Sequence, residues 1–131
     1  MLLPHPDDYM HQLIVTSGGD AVRMWREEIK KAWEHQCAYC GSSDNLTMDH
    51  VRPRSMGGQD KTNNVVCCCH KCNKSKAATN WEDWYSRQDF FTLDRYHAIR
   101  ELTQPTFIGP MKRLVRGKNG NPTRYVITQP A

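Results

Sequence analysis

The sequence lacks the features that would place it in a membrane, on a secretory route or among repeat proteins. No apolar run approaches the ~18 residues of a membrane-spanning helix. The N-terminus has no basic segment followed by an apolar stretch, so no secretory signal is expected. There is neither an internal repeat nor a low-complexity segment. We therefore expect a cytoplasmic protein whose 131 residues form one domain with an appendage.

Cysteine is the residue type that constrains the chain most. In a reducing cytoplasm, six cysteines are expected to be metal ligands and buried thiols rather than disulfides. Four of them form two Cys-x-x-Cys pairs: Cys37 with Cys40, and Cys69 with Cys72. This spacing predicts one tetrahedral structural zinc ion, which has no open position for chemistry. Cys67 and Cys68 lie in a short apolar run and are predicted to be core residues.

Charge is distributed unevenly along the sequence. Residues 1–49 carry 8 acidic and 4 basic side chains, and residues 77–102 carry 5 acidic and 3 basic ones. Residues 50–76 instead carry 6 basic side chains against one acidic one, and residues 103–131 carry 5 basic side chains and no acid. Positive charge gathered in two segments favours a polyanionic partner over ordinary solvated lysines.

The sequence pattern predicts a mixture of helices and short strands. Asp20 is the expected N-cap of an amphipathic helix over residues 21–34, which leads directly to Cys37. The elements expected next are a strand at 46–50, a loop at 51–63, a strand at 64–68 and a helix that grows from Asn73.

Two further helices are expected, with Asn80 and Thr92 as their N-caps. Their aromatic residues are expected in the core rather than stacked on nucleic-acid bases. After a turn at 117–122, a strand at 124–128 would complete a basic hairpin.

The dipeptide Asp49-His50, between the cysteine pairs, has the chemistry that a phosphodiester hydrolase needs. Such an enzyme requires a base to activate water and a divalent cation to bind the scissile phosphate. Histidine suits the first task, because its ordinary pKa is ~6.5. A carboxylate with an amide oxygen suits magnesium. If a zinc ion held the helix start at Asn73 near the strand that ends in Asp49, the two residues could share one ion.

These residues together resemble the HNH family of nucleases. The resemblance covers residues 37–76 and rests on the cysteine pairs, Asp49-His50, Gly57-Gly58, Asn64 and the run Cys72-Asn73-x-x-Lys76. It implies a ββα-metal fold with His50 as general base, Asn64 as the residue that orients this histidine or its loop, and Asp49 and Asn73 as ligands of the catalytic metal. It also implies structural zinc on Cys37, Cys40, Cys69 and Cys72.

Asn73 stands where the family often has histidine, which makes this a His-Asn-Asn version similar to phage and intron-associated homing nucleases. Loss of the nitrogen ligand favours hard ions such as Mg²⁺ or Mn²⁺. His70 could be mistaken for the missing histidine, but it lies inside the second cysteine pair. Asn63 could replace Asn64 if the register differs by one residue.

The fold class is therefore expected to be α+β, with a small ββα-metal core held by a four-cysteine zinc site. The expected parts are an N-terminal segment and helix at 1–36, the HNH core at 37–80, a helical extension at 81–104 and a basic hairpin or tail at 105–131.

The function that these features favour is cleavage of double-stranded DNA, by a monomer that nicks or a homodimer that cuts both strands. A homing enzyme encoded by a phage and acting in the host cell would fit. The expected DNA contacts are Arg52, Arg54, Lys71, Lys74, Lys76, Lys112, Arg113, Arg116, Lys118 and Arg124. The alternatives are a zinc-stapled DNA-binding or assembly module without catalysis, and an RNA-directed nuclease, for which no single-strand recognition motif is visible.

Overall fold

The computed structural model describes residues 1–12 and 14–103 in full, and the backbone of two C-terminal strands. The helices are α1 (Asp8–His11), α2 (Gly18–Ala32), α3 (His70–Lys76), α4 (Trp81–Ser86) and α5 (Leu93–Thr103). The strands are β1 (Leu46–His50), β2 (Val65–Cys69), β3 (Lys112–Arg116) and β4 (Pro122–Ile127). Within these ranges, no helix is long and apolar enough to cross a membrane.

The centre of the fold is an antiparallel pair of strands followed at once by a helix. In the register of β1 and β2, Leu46 lies opposite Cys69 and His50 lies opposite Val65. Every residue of β2 is buried, which confirms Cys67 and Cys68 as core residues. Helix α3 begins directly after β2, three residues earlier than expected. The order strand, loop, strand, helix confirms the α+β fold class and its ββα core.

Helix α2 begins earlier than the sequence pattern predicted, and the prediction of Asp20 as its N-cap was wrong. Ser17 has an extended backbone, and its hydroxyl accepts a hydrogen bond from the Asp20 amide at 3.2 Å. A serine hydroxyl satisfies a free helix amide as well as an aspartate does. The helix stops at Ala32 rather than at 34, because Glu34 adopts a positive φ of 55° soon afterwards.

The buried face of α2 packs against the loop between β1 and β2. Trp25 and Ile29 are buried, and the Trp25 indole donates a hydrogen bond to the Thr62 hydroxyl at 2.9 Å. The Thr62 hydroxyl bonds in turn to the carbonyl of Leu3, and its amide donates to the carbonyl of Pro4 at 2.8 Å. Because Thr62 is buried, these bonds fix α2 and the N-terminal segment to the loop.

Two glycines allow the loop after β1 to fold back on itself. Gly57 has a φ of +86°, a conformation that side-chain-bearing residues rarely adopt. A Cβ on Gly58 would lie 1.7 Å from the carbonyl oxygen of Arg52, so only glycine fits there. The loop is therefore held in one tight path directly after His50.

Helices α4 and α5 brace the first cysteine pair from outside. The rings of Tyr39 and Trp84 meet edge to face with centroids 5.0 Å apart, and the Tyr85 hydroxyl donates to the Tyr39 carbonyl at 2.7 Å. The buried guanidinium of Arg95 donates to the Cys37 carbonyl at 2.9 Å. The aromatic residues of α4 are thus core residues, as predicted, and Asn80 is its N-cap.

Strands β3 and β4 pair antiparallel, with a register shift between Val115 and Arg116. Strand β4 begins at Pro122, and residues 117–121 of the predicted turn lie outside the described residues. The same holds for Lys118 and for the basic side chains of the two strands.

Candidate functional site

The four paired cysteines meet in one cluster. The Sγ atoms of Cys37, Cys40, Cys69 and Cys72 all lie within 4.8 Å of one another. The sulfurs of Cys40 and Cys69 are 3.6 Å apart. A tetrahedral ion with metal–sulfur bonds of about 2.3 Å requires sulfurs that are ~3.8 Å apart. The cluster can therefore hold a metal ion with four sulfur ligands.

The thiols of the cluster perturb one another. Burial raises the pKa of the Cys40 thiol to about 11. The pKa of the Cys37 thiol is instead lowered, because Cys68 and Cys72 donate hydrogen bonds to it. Several thiolates so close together repel one another unless a cation lies among them. A bound ion would thus offset the cost of deprotonating the whole set.

Asp49, near the end of β1, lies in a buried network of hydrogen bonds. Its carboxylate is 5% exposed; it accepts a hydrogen bond from the Tyr39 hydroxyl at 2.7 Å and pairs with the Lys76 ammonium at 3.3 Å. Burial raises the pKa of the Asp49 carboxyl, and the positive charge of Lys76 opposes this shift. Lys76 is therefore the cationic partner of this buried carboxylate.

Lys76 corrects one expectation from the sequence. It was expected on a path for DNA phosphates, but its side chain is fully buried, with the ammonium also 3.1 Å from the His50 carbonyl. A buried ammonium that is already paired cannot contact DNA in this conformation. Its basic neighbours Arg52, Arg54, Lys71 and Lys74 are exposed.

Asn73 lies against the strand that carries Asp49. Its side-chain amide donates a hydrogen bond to the Met48 carbonyl at 3.2 Å, which fixes the first half of α3 beside the end of β1. The structure thus places the Asn73 side chain against the residue that precedes Asp49. A carboxylate and an amide oxygen fit a hard divalent cation. Such an ion would have to displace Lys76 or share the carboxylate with it.

His50 is partly exposed and contacts a residue that the sequence reasoning missed. Its Nε2 atom lies 2.5 Å from a carboxylate oxygen of Asp60, which also accepts a hydrogen bond from Arg54 at 2.8 Å. The hydrogen bonds from His50 and Arg54 lower the pKa of the Asp60 carboxyl, and the bond from His50 has the larger effect. The available signal was that Asp60 is the only acid among residues 50–76.

Asn64 does not contact His50 but holds the loop that follows it. Its side-chain oxygen accepts a hydrogen bond from the Arg52 amide at 2.9 Å. Its side-chain nitrogen donates to the carbonyls of Arg52 and Gln59 at 3.1 and 3.0 Å. These contacts fall on residue 64, whereas Asn63 is exposed and has no such clamp among the described residues.

Comparison with known proteins supports the family suggested by the sequence. The family model for HNH endonucleases matches residues 37–86. The chain is 43% identical over 67 residues to the CRISPR-associated endonuclease Cas9 of Corynebacterium diphtheriae, covering 47% of this chain. It is 32% identical over 72 residues to the Cas9 of Actinomyces naeslundii, covering 52% of this chain. In each case the match spans only 6% of the relative.

A solved structure is also similar, the Type II-C Cas9 enzyme from Actinomyces naeslundii, with a TM-score of 0.49 and 21% identity. This similarity covers 68% of the chain described here and 10% of the Cas9 chain.

Residues 37–86 match the HNH endonuclease family, which confirms the resemblance inferred from the residue pattern.

The sulfur cluster predicts one tightly bound metal ion per chain. Native mass spectrometry should detect it in the wild-type protein, and Cys72→Ser should lose both the ion and the cooperative unfolding transition, because the metal links the two cysteine pairs. Cys67→Ala is the matched control, since Cys67 is buried but not in the cluster. An ion retained by Cys72→Ser, or lost from Cys67→Ala, would contradict this assignment.

Proposed function

We propose that this chain is a metal-dependent endonuclease that hydrolyses phosphodiester bonds in double-stranded DNA. The observation that carries the proposal is the arrangement of Asp49 and His50 at the end of β1 with Asn73 against the same strand end, inside a segment that matches the HNH family. The carboxylate and the imidazole then lie on consecutive residues of β1, and the amide comes from α3. This is the combination that metal-assisted hydrolysis requires.

His50 is the proposed general base. Because Asp60 engages Nε2, that nitrogen carries the proton of the neutral ring, and Nδ1 remains to take a proton from water. Asp60 thereby acts as a positioning residue that fixes the tautomer of His50. Asn64 acts one step further away, by holding the loop that contains Asp60.

Asp49 and Asn73 would hold the catalytic divalent ion, for which we propose Mg²⁺ or Mn²⁺. When bound, such an ion supplies positive charge to the scissile phosphate and its leaving oxygen. Asp49 provides the charged ligand, and its hydrogen bond from Tyr39 orients the carboxylate. Lys76 neutralises the carboxylate when no ion is bound and must yield part of that contact.

The four-cysteine cluster would hold structural zinc, since four thiolates in a closed buried site suit zinc and leave no position for substrate. Its proposed task is to keep α3 against β1.

The finer parts of the function stay predictions. They are the homing role, the phage origin, action by a monomer or a homodimer, and DNA contacts from the basic C-terminal strands.

One observation favours a second candidate, a DNA-binding module without catalysis. The Asp49 carboxylate is already satisfied by Lys76 and Tyr39. If that network never opens, no catalytic ion can bind and only the basic surface remains useful.

A supercoiled-plasmid assay tests the nuclease proposal. Wild-type protein should nick the plasmid with Mg²⁺ or Mn²⁺ and not in EDTA, and His50→Ala should be slower by a factor on the order of 100, because the base is lost. The control is His97→Ala, an exposed histidine on α5. If His50→Ala cuts at the wild-type rate, the assignment of the base is wrong; if no metal supports cutting by the wild type, the non-catalytic module is favoured.

Asp60→Asn tests the positioning role. The substituted amide can present a donor to Nε2, so we expect the ring to shift towards its Nδ1–H form and cleavage to slow roughly tenfold or more. Nitrogen chemical shifts of His50 report the tautomer independently of cutting. The control is Asp89→Asn, because Asp89 is an exposed aspartate that follows α4 in the sequence. Unchanged His50 nitrogen shifts in Asp60→Asn would refute the role.

The contact between Asp60 and His50 also makes the stability of the fold depend on pH. Because the pKa of Asp60 is lowered on folding, its contribution to stability is present above the ordinary value of 3.8 and is lost as the pH falls further.

A further inference from the structure

An open groove lies beside β1, and His50 is among its lining residues. Its volume is about 420 Å³, and three elements form its walls. Helix α2 contributes Arg26 and Lys30, β1 contributes residues 46–48 and His50, and the turn after β1 contributes Arg54. One wall therefore comes from a helix that precedes the HNH domain in the sequence.

The charged residues that line this groove are all cationic apart from the titratable His50. Arg26 is exposed and, within the part of the chain that the structure describes, has no acidic partner. The Lys30 side chain is only 28% exposed, and its ammonium pairs with the Glu27 carboxylate at 3.4 Å. Partial burial makes an ammonium a stronger partner for an anion than a fully solvated one. The groove is therefore suited to a linear anion.

The cations on α2 are held in place by the core. Arg26 and Lys30 directly follow the buried Trp25 and Ile29, so both lie at the edge of the packed face. They are four residues apart, which separates them by ~6 Å along the helix axis. The bond from Trp25 to Thr62 fixes the helix relative to the loop that carries Asp60. The distance from these cations to His50 is thus set by packed elements.

We propose that this groove, which we call the α2 groove, binds the sugar-phosphate backbone of duplex DNA next to the scissile phosphate, with Arg26 and Lys30 as phosphate contacts. This rests on the nuclease function proposed above. Two cations in a row along a helix can contact phosphates of one strand while His50 faces the phosphate beyond them. The N-terminal part of the chain is acidic overall, yet its groove-lining side is basic.

The proposal is tested by DNA binding without added Mg²⁺ or Mn²⁺ and without a chelator, so that cutting does not interfere and the cysteine cluster keeps its ion. Fluorescence anisotropy with a labelled DNA duplex should give a Kd raised roughly tenfold in Arg26→Gln/Lys30→Gln, and a salt dependence reduced by about 2 in log–log slope, because two phosphate contacts are lost. The control is Arg23→Gln/Lys31→Gln, which removes the same charge from the same helix at residues outside the groove lining. Thermal unfolding checks that both double variants fold.

The outcomes separate this proposal from the nuclease proposal. If the control weakens binding as much as the groove variant, or if neither changes the salt slope, the α2 groove is not a phosphate site, whatever the plasmid assay shows. If the wild type binds through Arg26 and Lys30 but never cuts, the groove stands and the nuclease proposal fails. Tighter binding of duplex RNA than of DNA, dependent on the same pair, would overturn DNA as the ligand.

Discussion

The meeting of four cysteine sulfurs is the contact on which the rest of the site depends. Cys40 and Cys69 are 29 positions apart in the sequence, yet their sulfurs are 3.6 Å apart. This contact fixes the turn before β1 to the end of β2, and α3 starts at the next residue. The central sheet has only two strands, so this sulfur contact adds to the packing that α2, α4 and α5 supply around it. The metal ion that we propose there holds these elements together and takes no part in the chemistry.

The cysteine cluster positions a buried network of charged and polar side chains around Asp49. Asp49 faces Lys76 from α3 and Tyr39 from the first cysteine turn, so its two partners come from the two elements that the sulfurs join. A buried carboxylate without a cation is costly, and removing one partner of such a pair destabilises a fold strongly. Lys76 therefore has a structural task in this state. Displacement of the Lys76 ammonium from Asp49 by a divalent ion would turn this structural network into a catalytic metal site.

Local patterns predicted the local parts of this molecule. The cysteine spacing, the alternating strand at 46–50 and the Asn80 cap depend on neighbours in the sequence, and each was found as expected. The error at α2 arose because Ser17 and Asp20, three positions apart, have a similar propensity to cap a helix.

The missed residues depend on contacts that no local pattern contains. Lys76 has the sequence signature of a surface cation, and only the packing of α3 on β1 buries it. Asp60 meets His50 because Gly58 and Asn64 fold the loop back, across 10 positions. The α2 groove lies in a segment that is acidic overall, and only the helix geometry places Arg26 and Lys30 on one wall. These features require tertiary structure.

The most direct test of the proposed site is a crystal structure of the protein grown with Mn²⁺, with anomalous scattering used to locate the ion. We predict an anomalous peak bound by the Asp49 carboxylate and the Asn73 side-chain oxygen, with the Lys76 ammonium moved away from the 3.3 Å contact that it now makes. An Asp49 that keeps both Lys76 and Tyr39, with manganese absent or bound elsewhere, would contradict a catalytic metal at this position.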